Sequence, residues 1–136
     1  MFLVDTNVFS ELPKPKPEAS VIEWLNDPQN KIFLSAVTIA ELQSGVLQMP
    51  EGRKKQFYQN WLDDFFIHFG DFVLDFNKAV AITWGHLEAE LKRKGRPIPV
   101  RDSFLAATAL HYGLTIATRN EKDFLATGVK IFNPWK

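Results

Sequence analysis

Cysteine is missing altogether from the 136 residues. That excludes a disulfide framework, a zinc–thiolate centre and a thiol nucleophile, and it fits a reducing compartment. Long apolar runs are missing too. None approaches the roughly 18 residues of a membrane span, so no membrane association is expected. Net charge is absent, since 16 Lys and Arg balance 16 Asp and Glu. A nucleic-acid binder is usually basic. An enzyme that keeps acids to hold metal ions dilutes its basic patches, however, so where the charges lie matters more than their sum. The opening Met1-Phe2-Leu3-Val4-Asp5 carries no basic segment and an acid at position 5. It does not read as a signal peptide, and a cytoplasmic location is expected.

There is no internal repeat, low-complexity segment or domain boundary. The alternating prolines of Leu12-Pro13-Lys14-Pro15-Lys16-Pro17 favour an extended, polyproline-like loop, too short to separate domains. A single domain over residues 1–136 is therefore expected. A hydrophobic fraction of 46%, with 12 phenylalanines, supplies its core. Apolar runs at 2–4, 32–34, 72–74, 114–117 and 129–132 predict short strands. Helical patterns cover 18–26, the stretch from an N-cap at Ser35 to 48, 54–66, 78–94 and 101–112, the last stopped by Gly113. Strands alternating with helices predict an α/β fold, a mainly parallel sheet covered on both faces. Ligands of such sheets sit beyond the strands' carboxyl ends, near a switch in strand order. The ends to inspect are Val4-Asp5-Thr6-Asn7, Leu34-Ser35-Ala36 and Ala117-Thr118-Arg119-Asn120.

Three acids stand out in that frame. Asp5 directly follows the first apolar strand. Glu41 lies six residues beyond Ser35, between Ala40 and Leu42, with Val37 and Gly45 on its own helix face. Asp102 opens a helix that continues Phe104-Leu105-Ala106-Ala107. Acids in apolar settings repel one another and titrate abnormally unless a cation joins them. Hard oxygen donors select magnesium or manganese over zinc or copper. Each acid taken alone has an ordinary explanation: Asp5 as a helix cap, Asp102 as a favourable charge at a helix N-terminus, Glu41 as a solvated helix residue.

The segments around these acids resemble the PIN-domain family. Phe2-Leu3-Val4-Asp5-Thr6-Asn7-Val8 is similar to its opening strand, and Ser35-Ala36-Val37-Thr38-Ile39-Ala40-Glu41-Leu42-Gln43-Ser44-Gly45 to its second block. Asp102-Ser103-Phe104-Leu105-Ala106-Ala107-Thr108-Ala109 resembles the third, and Thr115-Ile116-Ala117-Thr118-Arg119-Asn120 with Asp123-Phe124 the fourth. Phe132-Asn133-Pro134-Trp135 resembles a common ending. The likeness spans almost the whole chain in the right order, and is nearest to the VapC and FitB type of bacterial toxin.

That resemblance implies a PIN-like three-layer α/β/α sandwich and a magnesium- or manganese-dependent endoribonuclease. It also implies a homodimer, and a small antitoxin partner that blocks the site and ties the pair to DNA. Asp5, Glu41 and Asp102 match the family's metal-binding acids. Asp5 and Asp102 would ligate the metal directly or through water, and Glu41 would ligate it or position the water. The fourth acidic position is Asn120 here, which would orient that water, with Asp123 a partial replacement for the missing charge. Thr6, Ser35 and Thr118 are candidates to hold the carboxylates by hydrogen bonds, with strand-end capping the alternative. Lys92, Arg93, Lys94, Arg96 and Arg101 lead directly to Asp102 and could flank RNA, whereas Arg53-Lys54-Lys55 reads more readily as a solvated face. His68, His86 and His111 share no metal spacing, and Trp61, Phe65 and Phe66 follow a spacing typical of core or subunit contacts.

Two other readings compete. A haloacid-dehalogenase-like phosphatase also places Asp after the first strand, but needs a second Asp where this chain has Asn7. A degenerate PIN-like domain could bind without catalysis, against which the three intact acids count.

Overall fold

A computed structural model describes all residues from Met1 to Lys136. Its five strands, β1 (Phe2–Val4), β2 (Ile32–Ser35), β3 (Val73–Leu74), β4 (Thr115–Ala117) and β5 (Ile131–Phe132), form one sheet in the order β3-β2-β1-β4-β5. Every pairing is parallel. The chain builds outward from β1 to one edge through β2 and β3. It then returns to build the other edge through β4 and β5. The switch in direction therefore falls between β1 and β4.

Helices α1 (Thr6–Phe9), α2 (Ala19–Asn26), α3 (Ala36–Leu47), α4 (Arg53–Phe69), α5 (Lys78–Arg93) and α6 (Val100–Tyr112) cover the sheet. Side chains of a strand alternate between faces, and here that alternation divides the interior in two. Leu3 and Ile116 join Val80, Leu87 and Leu91 of α5 and Leu105, Ala106 and Ala109 of α6. Val4 and Ala117 face the other way, into Val8, Phe9, Val21, Leu42, Val46, Leu62 and Phe65. The result is the expected three-layer α/β/α sandwich. Phe9, fully buried, meets Phe65 edge to face at 4.9 Å. Truncating such a ring to alanine typically costs about 3–5 kcal/mol. No helix is long and apolar enough to cross a membrane.

Local chemistry sets the boundaries. The Ser35 hydroxyl accepts from Val37 N (3.0 Å) and starts α3, Asn77 caps α5 through Val80 N (3.0 Å), and Gly113 ends α6 at φ +67°. The proline stretch departs from expectation: it is a turn followed by bends rather than an extended loop. Buried Glu11 is the cause, because its carboxylate accepts from Lys14 Nζ (2.7 Å) and Glu18 N (2.8 Å) and folds the segment back. Two helical pieces were not expected, α1 and a 3-10 helix at Glu121–Thr127. Phe72 also belongs to a 3-10 turn, Gly70–Phe72, that precedes β3.

Candidate active site

Asp5 stands at the end of β1 with extended backbone (φ −71°, ψ 153°) and caps α1. Its Oδ1 accepts from Thr6 N at 2.7 Å. Its Oδ2 accepts from the Thr118 hydroxyl at 2.8 Å and from Asn7 Nδ2 at 3.2 Å. The backbone bond from Asp5 N to the Ala117 carbonyl (2.9 Å) holds β1 and β4 together at that point. Glu41 reaches the same place from the second turn of α3: its Oε1 accepts from the Thr6 hydroxyl (3.2 Å) and its Oε2 pairs with Arg101 (3.5 Å). Asp102 comes from the first turn of α6. That turn is fixed by buried Ser103, whose hydroxyl donates to the Val100 carbonyl (2.6 Å) and accepts from Trp84 Nε1 (2.8 Å).

Asp5, Glu41, Asp102 and Asn120 line one cleft of about 360 Å³ with Asn7, Lys14 and Arg119 among its other walls, and no apolar residue faces it. It lies at the switch between β1 and β4. Electrostatics shows how closely the acids are gathered. Burial, with smaller contributions from Glu41 and Asp123, raises the Asp5 carboxyl above its ordinary value, against the hydrogen bonds from Thr118 and Thr6. The Asp102 carboxyl is pushed up to about 7, by burial first, then by Asp5 and Asp123, and by Glu41. Asp123 thus lies close enough to Asp102 to raise its carboxyl. Asn120 N donates to the Thr118 hydroxyl (3.0 Å), and its side chain does not cap the following 3-10 helix.

The other expected residues divide clearly. Thr6 and Thr118 hold carboxylates, whereas Ser35 caps α3 and does not line the cleft. Of the basic group only Arg101 touches one of the acids. Lys92 pairs with Glu88 (3.9 Å), Lys94 with Glu90 (3.6 Å) and Arg93 also with Glu90, all on α5, and neither they nor Arg96 line the cleft. Lys55 pairs with Glu51 (2.6 Å). No histidine lines the cleft, and Phe65 is core with Trp61 and Phe66 packed against it. Asn7 was the residue sequence reasoning missed as a participant. Besides bracing Asp5, its Oδ1 accepts from Arg119 N (3.3 Å). Its position two residues after the strand-end acid was the available signal. That same bracing role leaves no second acid at position 7 for phosphatase chemistry.

The cleft offers the oxygen donors that a divalent cation takes, although no three of its acids are grouped as a ready-made metal site. Its carboxylates stand beside Lys14 and Arg119, burial followed by repulsion from Asp5 and Asp123 raises the Asp102 carboxyl to about 7, and oxygen is the donor atom that hard cations prefer.

Residues 2–130 match the PIN domain. The chain belongs to the PIN-domain family. It is 37% identical over 137 residues to toxin FitB of Neisseria gonorrhoeae, covering 99% of each chain. It is 36% identical over 138 residues to VapC ribonuclease Y4jK of Sinorhizobium fredii, covering 100% of this chain and 99% of that one. Among solved structures, that of FitAB bound to an IR36 DNA fragment superposes with a TM-score of 0.89 at 34% identity, covering 100% of this chain and 96% of that one.

Proposed function

We propose that the chain is the toxin of a bacterial toxin–antitoxin pair, an endoribonuclease that hydrolyses RNA phosphodiester bonds with magnesium or manganese. The observation that carries this reading is the convergence of Asp5, Glu41 and Asp102 on one polar cleft at the sheet's switch point, with Asp123 in the adjoining cleft and near enough to raise the Asp102 carboxyl. The names of its relatives, a toxin and a ribonuclease, support the substrate class.

Asp5, Asp102 and Glu41 would hold the cation, with Asp123 adding charge. A cation bound there supplies charge neutralisation at the phosphate and makes water a better nucleophile at neutral pH. Asp5 is held in one orientation by Thr6, Thr118 and Asn7, which limits the reorganisation needed during reaction. Glu41, anchored by Thr6 and Arg101, orients the attacking water, and the Asn120 carboxamide offers it a further hydrogen bond. Water adds to phosphorus in line as the bond to the leaving oxygen breaks.

The chain works in the cytoplasm as a homodimer, and a small antitoxin covers the cleft and carries the pair to DNA. The FitAB complex bound to a DNA fragment supports the tie to DNA. Incubating the purified chain with total RNA tests the enzymatic part. Cleavage at defined positions with magnesium or manganese, lost in chelator, is expected; equal cleavage in chelator, or none with either metal, would overturn it. Expression alone should slow bacterial growth, and a small protein encoded beside the chain should restore it.

A further inference from the structure

The carboxyl ends of β4 and β5 lie side by side, since Ala117 pairs with Phe132. The segments leaving the two strands are therefore neighbours. After β4 comes Arg119; after β5 comes the turn Asn133-Pro134-Trp135-Lys136. That turn is fixed by Asn133, whose Oδ1 accepts from Trp135 N (2.9 Å) and whose carbonyl accepts from Lys136 N (3.1 Å). Trp135 is half-buried, one side packed on the core. The Arg119 guanidinium lies over its ring, 5.2 Å from the centroid.

Arg119 lines the acidic cleft yet forms no ion pair, whereas Lys14, the other cation there, is paired with Glu11. A guanidinium resting on an indole keeps its hydrogen-bonding edges free. The same arginine also lines a second cleft of about 520 Å³, shared with Asn120, Lys122, Asp123, Trp135 and Lys136. Arg119 and Asn120 thus form a wall common to both clefts. Trp135 is the one apolar residue of the second, among charged and amide side chains, and Lys122 has no ion pair either. A planar aromatic beside unpaired cations is how proteins hold unstacked nucleotides: the base stacks and the cations take phosphate.

We propose that Trp135 and Arg119 form a stacking subsite for the base of a single-stranded RNA nucleotide next to the scissile phosphate, with Lys122 holding that nucleotide's phosphate. This rests on the proposed ribonuclease activity. The chain of the RNA would run from the acids over Arg119 into the second cleft, so the subsite selects which phosphate is cut.

The test uses short single-stranded RNAs spanning a cleavage position mapped with the wild-type protein. In companion RNAs the nucleotide on either side of that position is replaced by an abasic ribose. Wild type should lose roughly tenfold in kcat/KM on one abasic RNA, mainly through KM, a loss in the range of base stacking on an aromatic. Trp135→Leu, which keeps bulk against the core, should lose a similar factor on the intact RNA and nothing further on the abasic one, and Trp135→Phe should recover most of it. Arg119→Gln, on an exposed side chain, carries the same test should the leucine variant not fold. If the variants lose the same factor on intact and abasic RNA, or lose nothing on either, Trp135 serves packing alone and the proposal is overturned. Wild type that cleaves no RNA at all would instead remove the ribonuclease reading, and this subsite with it.

Discussion

The Thr118 hydroxyl donates to Asp5 Oδ2 at 2.8 Å, joining residues 113 positions apart at the ends of neighbouring strands. The Thr118 hydroxyl oxygen in turn accepts from Asn7 Nδ2 (3.3 Å) and Asn120 N (3.0 Å). One fully buried side chain therefore ties together the strand-end acid, the residue that braces it and the loop carrying Asn120 and Asp123.

Thr118→Val keeps the shape and removes that hydroxyl. Asp5 loses its strongest opposing influence against burial, so its carboxyl should rise further from its ordinary value. A buried acceptor stripped of its donor costs about 1–3 kcal/mol. Lower thermal stability and a higher magnesium requirement for cleavage are expected, both largely restored in Thr118→Ser. Melts and metal titrations that match wild type would show that the contact does not organise the site.

Asp102 gives a pH dependence of definite sign. The folded chain holds this proton up to about 7, whereas the unfolded chain releases it near the ordinary 3.8. Between those values the folded state binds more protons, so in chelator stability contributed by this group falls as pH rises from about 4 to about 7. Asp102→Asn removes the penalty. In chelator its melting temperature should match wild type near pH 4 and exceed it increasingly towards pH 8, and magnesium should narrow the difference for wild type. A gap that stays constant across that range contradicts the coupling among the acids.

Asp123 and Asn120 should act in opposite directions. A unit charge about 4 Å from a cation is worth between ~1 and ~4 kcal/mol, depending on solvation. Asp123→Asn should therefore raise the magnesium needed for half-maximal cleavage roughly tenfold at most, given the solvated rim. Asn120→Asp should lower that requirement and reduce stability in chelator, because it adds a charge beside Asp102. Magnesium titrations of activity, paired with melts in chelator, check both. If neither titration midpoint moves, these two residues stand outside the metal site.

Much of this arrangement is readable from local pattern. The apolar runs ending in Asp5, Ser35 and Ala117 are strands because alternating side chains must fill two cores, and the Gly113 stop and Asn77 cap act within a few residues. The short helix α1 is harder to see: Thr6-Asn7-Val8-Phe9 has neither a full helical period nor good helix formers, and it forms because Asp5 caps it. The 3-10 helix that carries Asp123 into the cluster is likewise too short for periodicity. Partners distant in sequence are invisible to any local reading. Thr118 on Asp5 and Arg119 on Trp135 are set by strand order, and the Lys92-Arg93-Lys94 run looked like a cleft wall because sequence proximity to Asp102 does not reveal that its charges pair along α5.

The central claim is that the gathered carboxylates hold a divalent cation on which RNA cleavage depends. Manganese binding by calorimetry and RNA cleavage, measured on the same preparations of wild type and Asp5→Asn, test it most directly. This substitution removes a charge and leaves the side-chain volume nearly unchanged, and it should leave the melting temperature in chelator equal or higher by relieving repulsion among the acids. Wild type is expected to bind manganese and cleave, and the folded variant to lose both together. A folded Asp5→Asn protein that cleaves RNA at the wild-type rate, with contaminating nuclease excluded, would contradict it.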